Sequence, residues 1–191
     1  SSGLDAERDR LLAIAAVAVQ ADDQHPHILL GDSFEVVLRQ AEAAGRLPDK
    51  ANILLHGIGV GAQRTGVEPA QALAAFERYV GASPLLAFHA AFDRTMIERA
   101  FQAVLGHRPA VPWLDIEPVA AVLHPQVRAR SLDEWMAHFD IRCLVRHQAA
   151  ADTLATAELL LKLWPAMRAQ GVRPSFKAVA KLAAQRRWVT G

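Results

Sequence analysis

Two apolar stretches near the amino end predict neighbouring β-strands. The run LLAIAAVAV at 11–19 is apolar at every position, which is typical of a strand buried on both faces and is also compatible with a short Ala-rich helix. Its β-branched valines favour the strand. Segments 27–30 and 34–38 follow, separated by Gly31-Asp32, and apolar and polar residues alternate in the second. We therefore expect a hairpin in which this second stretch returns beside the first strand.

Strand-like and helix-like patterns alternate in the rest of the chain. Leu85–Phe88 predicts a strand, and apolar residues recur at helical spacing in several later segments. Helix boundaries are marked by Pro at a first helical position, by Gly after the last one and by a Ser-x-x-Glu capping box. The predicted helices are 69–80, 94–105, 116–123, one that opens at Ser131, and a long one after His147. This order predicts an α/β fold, a mixed sheet with helices on both faces.

Composition narrows the class of protein. The chain has 191 residues and 52% hydrophobic residues, which predicts one domain over 1–191 with a basic helical tail at 171–191. Its single cysteine, Cys143, excludes a disulfide scaffold and suits a reducing compartment. No apolar run approaches the roughly 20 residues that span a bilayer, and no secretory leader pattern is present. We expect a cytoplasmic protein that does not bind a membrane.

Net charge limits how the chain could hold a polyanion. Lys and Arg number 21 against 20 Asp and Glu, so the formal net charge is +1. A charge this small creates no broad basic field of the kind that attracts nucleic acid. A nucleic acid would therefore be held by a local site or through metal ions.

Three short segments contain residue types that could do chemistry, and the first of them is Ser2-Gly3-Leu4-Asp5 at the amino end. Phe88–Asp93 lies at a predicted strand-to-helix junction, where Asp93 could cap the helix or serve as a ligand. His147 precedes Asp152 by five residues at the start of another predicted helix. A His is the usual proton acceptor at neutral pH and a carboxylate is the usual ligand of Mg²⁺ or Mn²⁺. A surface His and an Asp that favours the helix dipole explain the pair equally well.

Taken in order, these segments resemble the DEDDh family of 3′-5′ exonucleases, which includes the epsilon proofreading subunit of bacterial DNA polymerase and ribonuclease T. The family's first motif, Asp-x-Glu-x-Thr/Ser-Gly-Leu, ends like Ser2-Gly3-Leu4, and an apolar strand follows in both. Its second motif, His-Asn-x-x-Phe-Asp, matches Phe88–Asp93 at the last two positions. Its third, His-x5-Asp, is His147 to Asp152. The similarity covers nearly the whole chain.

The resemblance implies a ribonuclease-H-like sheet and a two-metal mechanism. In the family, four carboxylates hold two divalent ions, Mg²⁺ or Mn²⁺, around the terminal phosphodiester of DNA or RNA. Carried over, Asp93 and Asp152 become metal ligands and His147 becomes the general base. The substrates implied are single-stranded or frayed 3′ ends, and the partners implied are a second copy or a polymerase-type complex. The residues implied at the substrate are Gly3, Leu4, His56, Ile58, His89 and Phe92.

The chain departs from the family pattern at two places. The Asp-x-Glu of the first motif would fall directly before Ser1 and is absent from this sequence, with most of the first strand. We therefore expect a polypeptide that begins at Ser1 to bind the ions weakly. Phe88-His89 stands where the family has His-Asn, so His89 replaces the Asn. An alternative to the exonuclease is a non-catalytic relative that binds nucleic acid or a protein and lacks half the metal cage.

Overall fold

Two strands near the amino end form the predicted hairpin. The computed structural model describes residues 1, 5–21, 26–40, 58–143 and 147–186. Within these, β1 (Ala13–Gln20) pairs antiparallel with β2 (His27–Val37). The pairing shifts register, because Val17 lies opposite Ser33 whereas Ala18 lies opposite Leu29. Gly31-Asp32 therefore lies in a bulge within one long strand and does not end it.

A second pair of strands forms another two-stranded sheet. β3 (Leu85–Ala87) and β4 (Trp113–Asp115) run parallel, with Leu85 opposite Trp113 and Ala87 opposite Asp115. In the described part of the chain the two pairs are not hydrogen-bonded to each other. The mixed α/β architecture is confirmed, but it is built from an antiparallel and a parallel pair.

Seven helices surround the strands in the described ranges. They are α1 (Val60–Thr65), α2 (Pro69–Val80), α3 (Ala90–Leu105), α4 (Ile116–Leu123), α5 (Leu132–His138), α6 (Ala149–Ala169) and α7 (Phe176–Ala183). The predicted caps are confirmed: Pro69 begins α2, and Ser131 and Glu134 form the capping box of α5. No described helix has the length and apolarity needed to span a membrane. The structure describes the predicted tail up to residue 186, and α7 is the helical part of it. The single domain over 1–191 stays a prediction.

The prediction for α3 was wrong at its amino end. The helix begins at Ala90, four residues before the predicted start at 94, and β3 ends at Ala87. The first turn carries Phe92 and Asp93, which line a cavity. The row of buried apolar residues Met96, Ile97 and Phe101 begins only in the second turn. A pattern of apolar residues therefore locates this helix only from its second turn onward.

Two hydrophobic cores hold the strand pairs and the helices. The hairpin core packs β1 and β2 against α2 and α3, and the helical core packs α4 to α7 around Trp135. The buried residues of the hairpin core are Ile14, Leu38, Ala72, Leu73, Phe76, Val80, Ile97 and Phe101. The expected burial of 11–19 on both faces was wrong, because only Leu12 and Ile14 are buried there. The rest of the strand is half-buried and lines the cavity.

Candidate active site

A cavity of about 820 Å³ is lined by residues of both strand pairs. β1 contributes Ala13 to Val19, and β3 contributes Leu85 to Ala87. This size lies within the range of small-molecule and substrate sites in proteins. Several of the predicted site residues line this cavity.

Asp93 lies in the first turn of α3 and lines this cavity. Burial raises the pKa of the Asp93 carboxyl to about 6, and the nearby Asp115 carboxylate contributes a smaller part of this rise. Ionising such a carboxyl costs free energy unless a positive charge lies beside it. Without such a charge, this environment favours the protonated, neutral form of Asp93.

The turn before α3 carries His89 and Phe92 toward the same cavity. His89 lies in the left-handed region, with φ 58 and ψ 49, and its carbonyl accepts a hydrogen bond from the Phe92 N–H at 3.0 Å. Its ring lies 4.6 Å from the Phe88 ring, centroid to centroid. Both His89 and Phe92 line the cavity. Asp93 therefore shares the cavity with two side chains that could contact a base.

His147 and Asp152 reach the cavity from the start of α6. The Asp152 carboxylate accepts a hydrogen bond from the His147 backbone N–H at 3.2 Å. The Thr153 hydroxyl donates to the Ala15 carbonyl in β1 at 3.2 Å, which ties the first turn of α6 to the hairpin. These two bonds tie the His147 backbone to Asp152 and the start of α6 to β1, and both His147 and Asp152 line the cavity.

Left-handed backbone is concentrated at this site. In the described ranges, three residues other than glycine have positive φ: His89, Asp140 and His147. His89 and His147 line the cavity; His89 directly precedes the helix that carries Asp93, and His147 lies two residues before the helix that carries Asp152. Such conformations cost about 1 to 2 kcal/mol for ordinary residues and are frequent at functional sites.

Other predicted residues have different outcomes. Ile58 lines the cavity, and its carbonyl accepts a hydrogen bond from the Gln63 amide at 3.0 Å. Gly3, Leu4 and His56 lie outside the described residues. Within the described ranges, no group of three or more His, Cys, Asp or Glu is placed to hold a metal ion. The role of Asp93 and Asp152 as metal ligands stays a prediction.

The amino-terminal segment was predicted at the site through Gly3 and Leu4, and Ser1, which was not singled out, lines the cavity. The Arg99 side chain on α3 donates hydrogen bonds to the carbonyls of Ala6 and Asp9. This holds the segment along α3, so that it leads to the Asp93 end of the helix. The bond that holds this segment could not be found from local pattern, because Arg99 and Ala6 are 93 residues apart in the chain.

Asp115 is the N-cap residue of α4. Its carboxylate accepts a hydrogen bond from the Glu117 N–H at 3.0 Å at the start of α4. The same oxygen also accepts from the His89 N–H at 2.9 Å. The second bond joins the ends of β3 and β4, and the sequence alone did not indicate it.

A comparison with protein-family models decides the family. The model described as Exonuclease, RNase T, matches residues 1–160. The chain belongs to the exonuclease family. It is a DEDDh-type 3′-5′ exonuclease-like protein, as its motifs predicted. Cell-death related nuclease 4 has a similar fold, with a TM-score of 0.54 at 12% identity over 90% of this chain and 77% of that one. The ribonuclease-H-like fold class is thereby confirmed.

Curated relatives of this exonuclease-family chain are DNA polymerase III proteins. The PolC-type polymerase of Oceanobacillus iheyensis is 28% identical over 85% of the chain, and that of Bacillus subtilis 28% over 91%. The polymerase III subunit epsilon-like protein of Rhodobacter capsulatus is 28% identical over 86%. The chain spans 11% of the length of each of the two PolC-type proteins and 22% of the epsilon-like protein. The similarity therefore concerns one domain's length within larger proteins.

Proposed function

We propose that this chain is the catalytic domain of a metal-dependent 3′-5′ exonuclease that releases nucleoside monophosphates from single-stranded or frayed DNA or RNA ends. The observation that supports it most is the convergence of Asp93, Asp152 and His147 on one cavity. These residues come from two motifs in distant parts of the chain. Both motifs therefore contribute residues to the wall of the same cavity.

Asp93 and Asp152 are the proposed metal ligands. Carboxylate oxygens are the hard donors that Mg²⁺ and Mn²⁺ prefer. The residues present fit such an ion in part, because burial raises the pKa of Asp93 to about 6 and a cation would favour its ionised form. Two bound ions would neutralise the phosphate and activate a water. The near-neutral net charge of the chain is consistent with this way of holding a polyanion.

The remaining ligands would come from residues joined to Ser1. The family resemblance places an Asp-x-Glu directly before this position, and Ser1 lines the cavity beside Asp93. A segment entering there would pass between β1 and β3, which also line the cavity. Its two carboxylates would join Asp93 and Asp152 to complete the cage of four.

His147 is the proposed general base. His147 is exposed, lines the cavity, and donates a hydrogen bond from its backbone N–H to the Asp152 carboxylate. A neutral imidazole nitrogen accepts a proton from water efficiently near pH 7. Ile58, His89 and Phe92 line the same cavity and are proposed to contact the terminal nucleotide, where an aromatic ring can stack on a base.

The proposed setting follows from the relatives. Because they are DNA polymerase III proteins, we place this domain in a polymerase-type complex, with a homodimer as the other arrangement. A cytoplasmic location accords with that setting.

The test is a nuclease assay on the polypeptide isolated from its natural source. The intact mass of this polypeptide is measured first, because it shows whether further residues flank the 191-residue sequence. Single-stranded DNA and RNA labelled at the 5′ end are then incubated with Mn²⁺ and with EDTA. Asp93→Asn, Asp152→Asn and His147→Ala are each expected to lower the cleavage rate by about 100-fold or more, because each removes a proposed ligand or base.

Matched controls exist in the same chain. Glu98 lies on α3 with Asp93 but pairs with Arg94 at 2.6 Å, and exposed His107 is hydrogen-bonded to Glu77 at 2.8 Å. Glu98→Gln and His107→Ala are expected to keep the wild-type rate. Full activity in any of the three site variants would contradict the assignment. Binding of the oligonucleotide without turnover in Mn²⁺ would favour the non-catalytic relative.

A further inference from the structure

A carboxylate from β4 holds the turn that leads into α3. Asp115 is the last residue of β4 and lies opposite Ala87, the last residue of β3. One oxygen, Oδ1, accepts hydrogen bonds from the His89 N–H at 2.9 Å and from the Glu117 N–H at 3.0 Å. A single atom therefore caps α4 and connects α4 to the turn before α3.

That turn has no side-chain cap of its own. His89 is the N-cap residue of α3, yet its side chain makes no capping hydrogen bond, and its backbone is left-handed at φ 58. A residue other than glycine keeps this conformation only where neighbouring contacts hold it. The Asp115 carboxylate supplies such a contact at the His89 N–H itself.

The position of Asp93 depends on this turn. Asp93 follows His89 by four residues, which is about one helical turn, so the start of α3 sets where its carboxylate lies. Asp115 is itself held by the backbone of α4, where the buried Glu117 side chain forms an ion pair with Arg186. A chain of fixed contacts thus runs from the tail through Asp115 to the turn that carries Asp93.

We infer that Asp115 is a positioning residue, whose carboxylate fixes the His89 turn and thereby places the Asp93 carboxylate at the cavity. The structural part of this inference concerns the His89 hydrogen bond. Its consequence for metal binding and rate rests on the proposed function.

Three substitutions separate positioning from helix capping. Asp115→Asn keeps an oxygen at the position of Oδ1 and so retains both hydrogen bonds. Asp115→Ser still caps α4, because Ser is a good N-cap, but its hydroxyl lies one bond closer to the backbone and does not reach His89. Asp115→Ala removes both bonds. Ser131→Ala is the matched control, since it removes the side-chain cap of α5 and leaves His89 untouched.

The measurements are made on the natural polypeptide that contains this chain. Hydrogen exchange of the His89 amide reports the bond directly, and it is expected to be about tenfold faster in the Ser and Ala variants than in the wild type. Mn²⁺ affinity and kcat are expected to fall about tenfold in Asp115→Ser, with KM unchanged and the melting temperature near that of the wild type. Asp115→Asn is expected to stay within about threefold of the wild type in every measurement.

Each outcome bears on the inference. Wild-type exchange of the His89 amide in Asp115→Ser would overturn it, as would an Asn variant as impaired as the Ala variant, because charge and not position would then matter. If the wild type itself neither binds Mn²⁺ nor cleaves, the proposed function fails, and the exchange measurement still decides the structural part. Faster His89 exchange in Ser131→Ala would also overturn it, since general destabilisation would explain the effect.

Discussion

Replacing Asp93 with Asn is expected to stabilise the metal-free protein at neutral pH. Burial raises the pKa of the Asp93 carboxyl from an ordinary 3.8 to about 6. A difference of this size corresponds to about 3 kcal/mol between the protonated and ionised forms in the folded state. Asn has nearly the same shape and carries no charge. The wild-type side chain therefore lowers stability at the position where a cation is proposed to bind.

The dependence on pH determines the sign of this effect. Well below the ordinary pKa of 3.8, the carboxyl is protonated in both the folded and the unfolded chain, so it contributes no difference. Between there and about pH 6 the unfolded chain binds fewer protons than the folded one, and the free energy of unfolding of the wild type falls as pH rises. Above about pH 6 both states are ionised and the loss is complete.

Urea denaturation in EDTA, from about pH 4 to pH 8, measures the effect. The free energy of unfolding of Asp93→Asn is expected to exceed that of the wild type by up to about 3 kcal/mol at pH 8 and by only about 0.5 kcal/mol near pH 4. Glu98→Gln is the control, because Glu98 pairs with Arg94 at 2.6 Å and with Arg108 at 3.7 Å. It is expected to be slightly less stable than the wild type at neutral pH, the opposite sign.

Two results would refute this reasoning. If Asp93→Asn were no more stable than the wild type at pH 8, the carboxyl would not be held in an unfavourable environment. If the variant were more stable by the same amount at pH 4 and pH 8, ionisation would not be the cause. Addition of Mn²⁺ is expected to raise the melting temperature of the wild type and leave that of the variant unchanged.

Other predictions concern stability. Arg186→Ala should lower the free energy of unfolding by about 3 kcal/mol, because it removes the ion-pair partner of the Glu117 carboxylate, which is only 4% exposed. Adding Glu117→Gln should recover at least half of this loss in urea denaturation. A loss below about 1 kcal/mol in Arg186→Ala would contradict the prediction. His147→Gly should be about 1 kcal/mol more stable than His147→Ala in thermal melts, because φ is 68 at this position, whereas equal stability would argue against a left-handed backbone. Ser131→Ala should cost about 1 kcal/mol through loss of the capping box, and an unchanged melting temperature would show that the cap is not needed.

Local features of the chain were predictable because neighbouring residues satisfy them. Pro69 and Gly81 bound α2, and Ser131 with Glu134 caps α5, since each signal acts within a few residues. The pairing of His147 and Asp152 is of the same kind, because the hydrogen bond that joins them spans only five residues. The order of the sequence motifs was also enough to indicate the exonuclease family, and the match of the family model to residues 1–160 confirms it.

The start of α3 was not predictable from local pattern. His89 is held in a left-handed conformation through a bond to Asp115, 26 residues further along the chain. A helix boundary set by such a bond leaves no periodic signal near itself. The same reason applies to Ser1, whose place beside Asp93 depends on contacts between Arg99 and the amino-terminal segment.

The amino-acid sequence by itself determined which elements form, where most of them end and which residue types could do chemistry. Only the tertiary structure decided that Asp93 and Asp152, carried by α3 and α6, line one cavity between the strand pairs. Helix and strand patterns reflect contacts within a few residues, whereas a cavity depends on how distant elements pack. Bonds such as that between Thr153 and Ala15, 138 residues apart, set this packing.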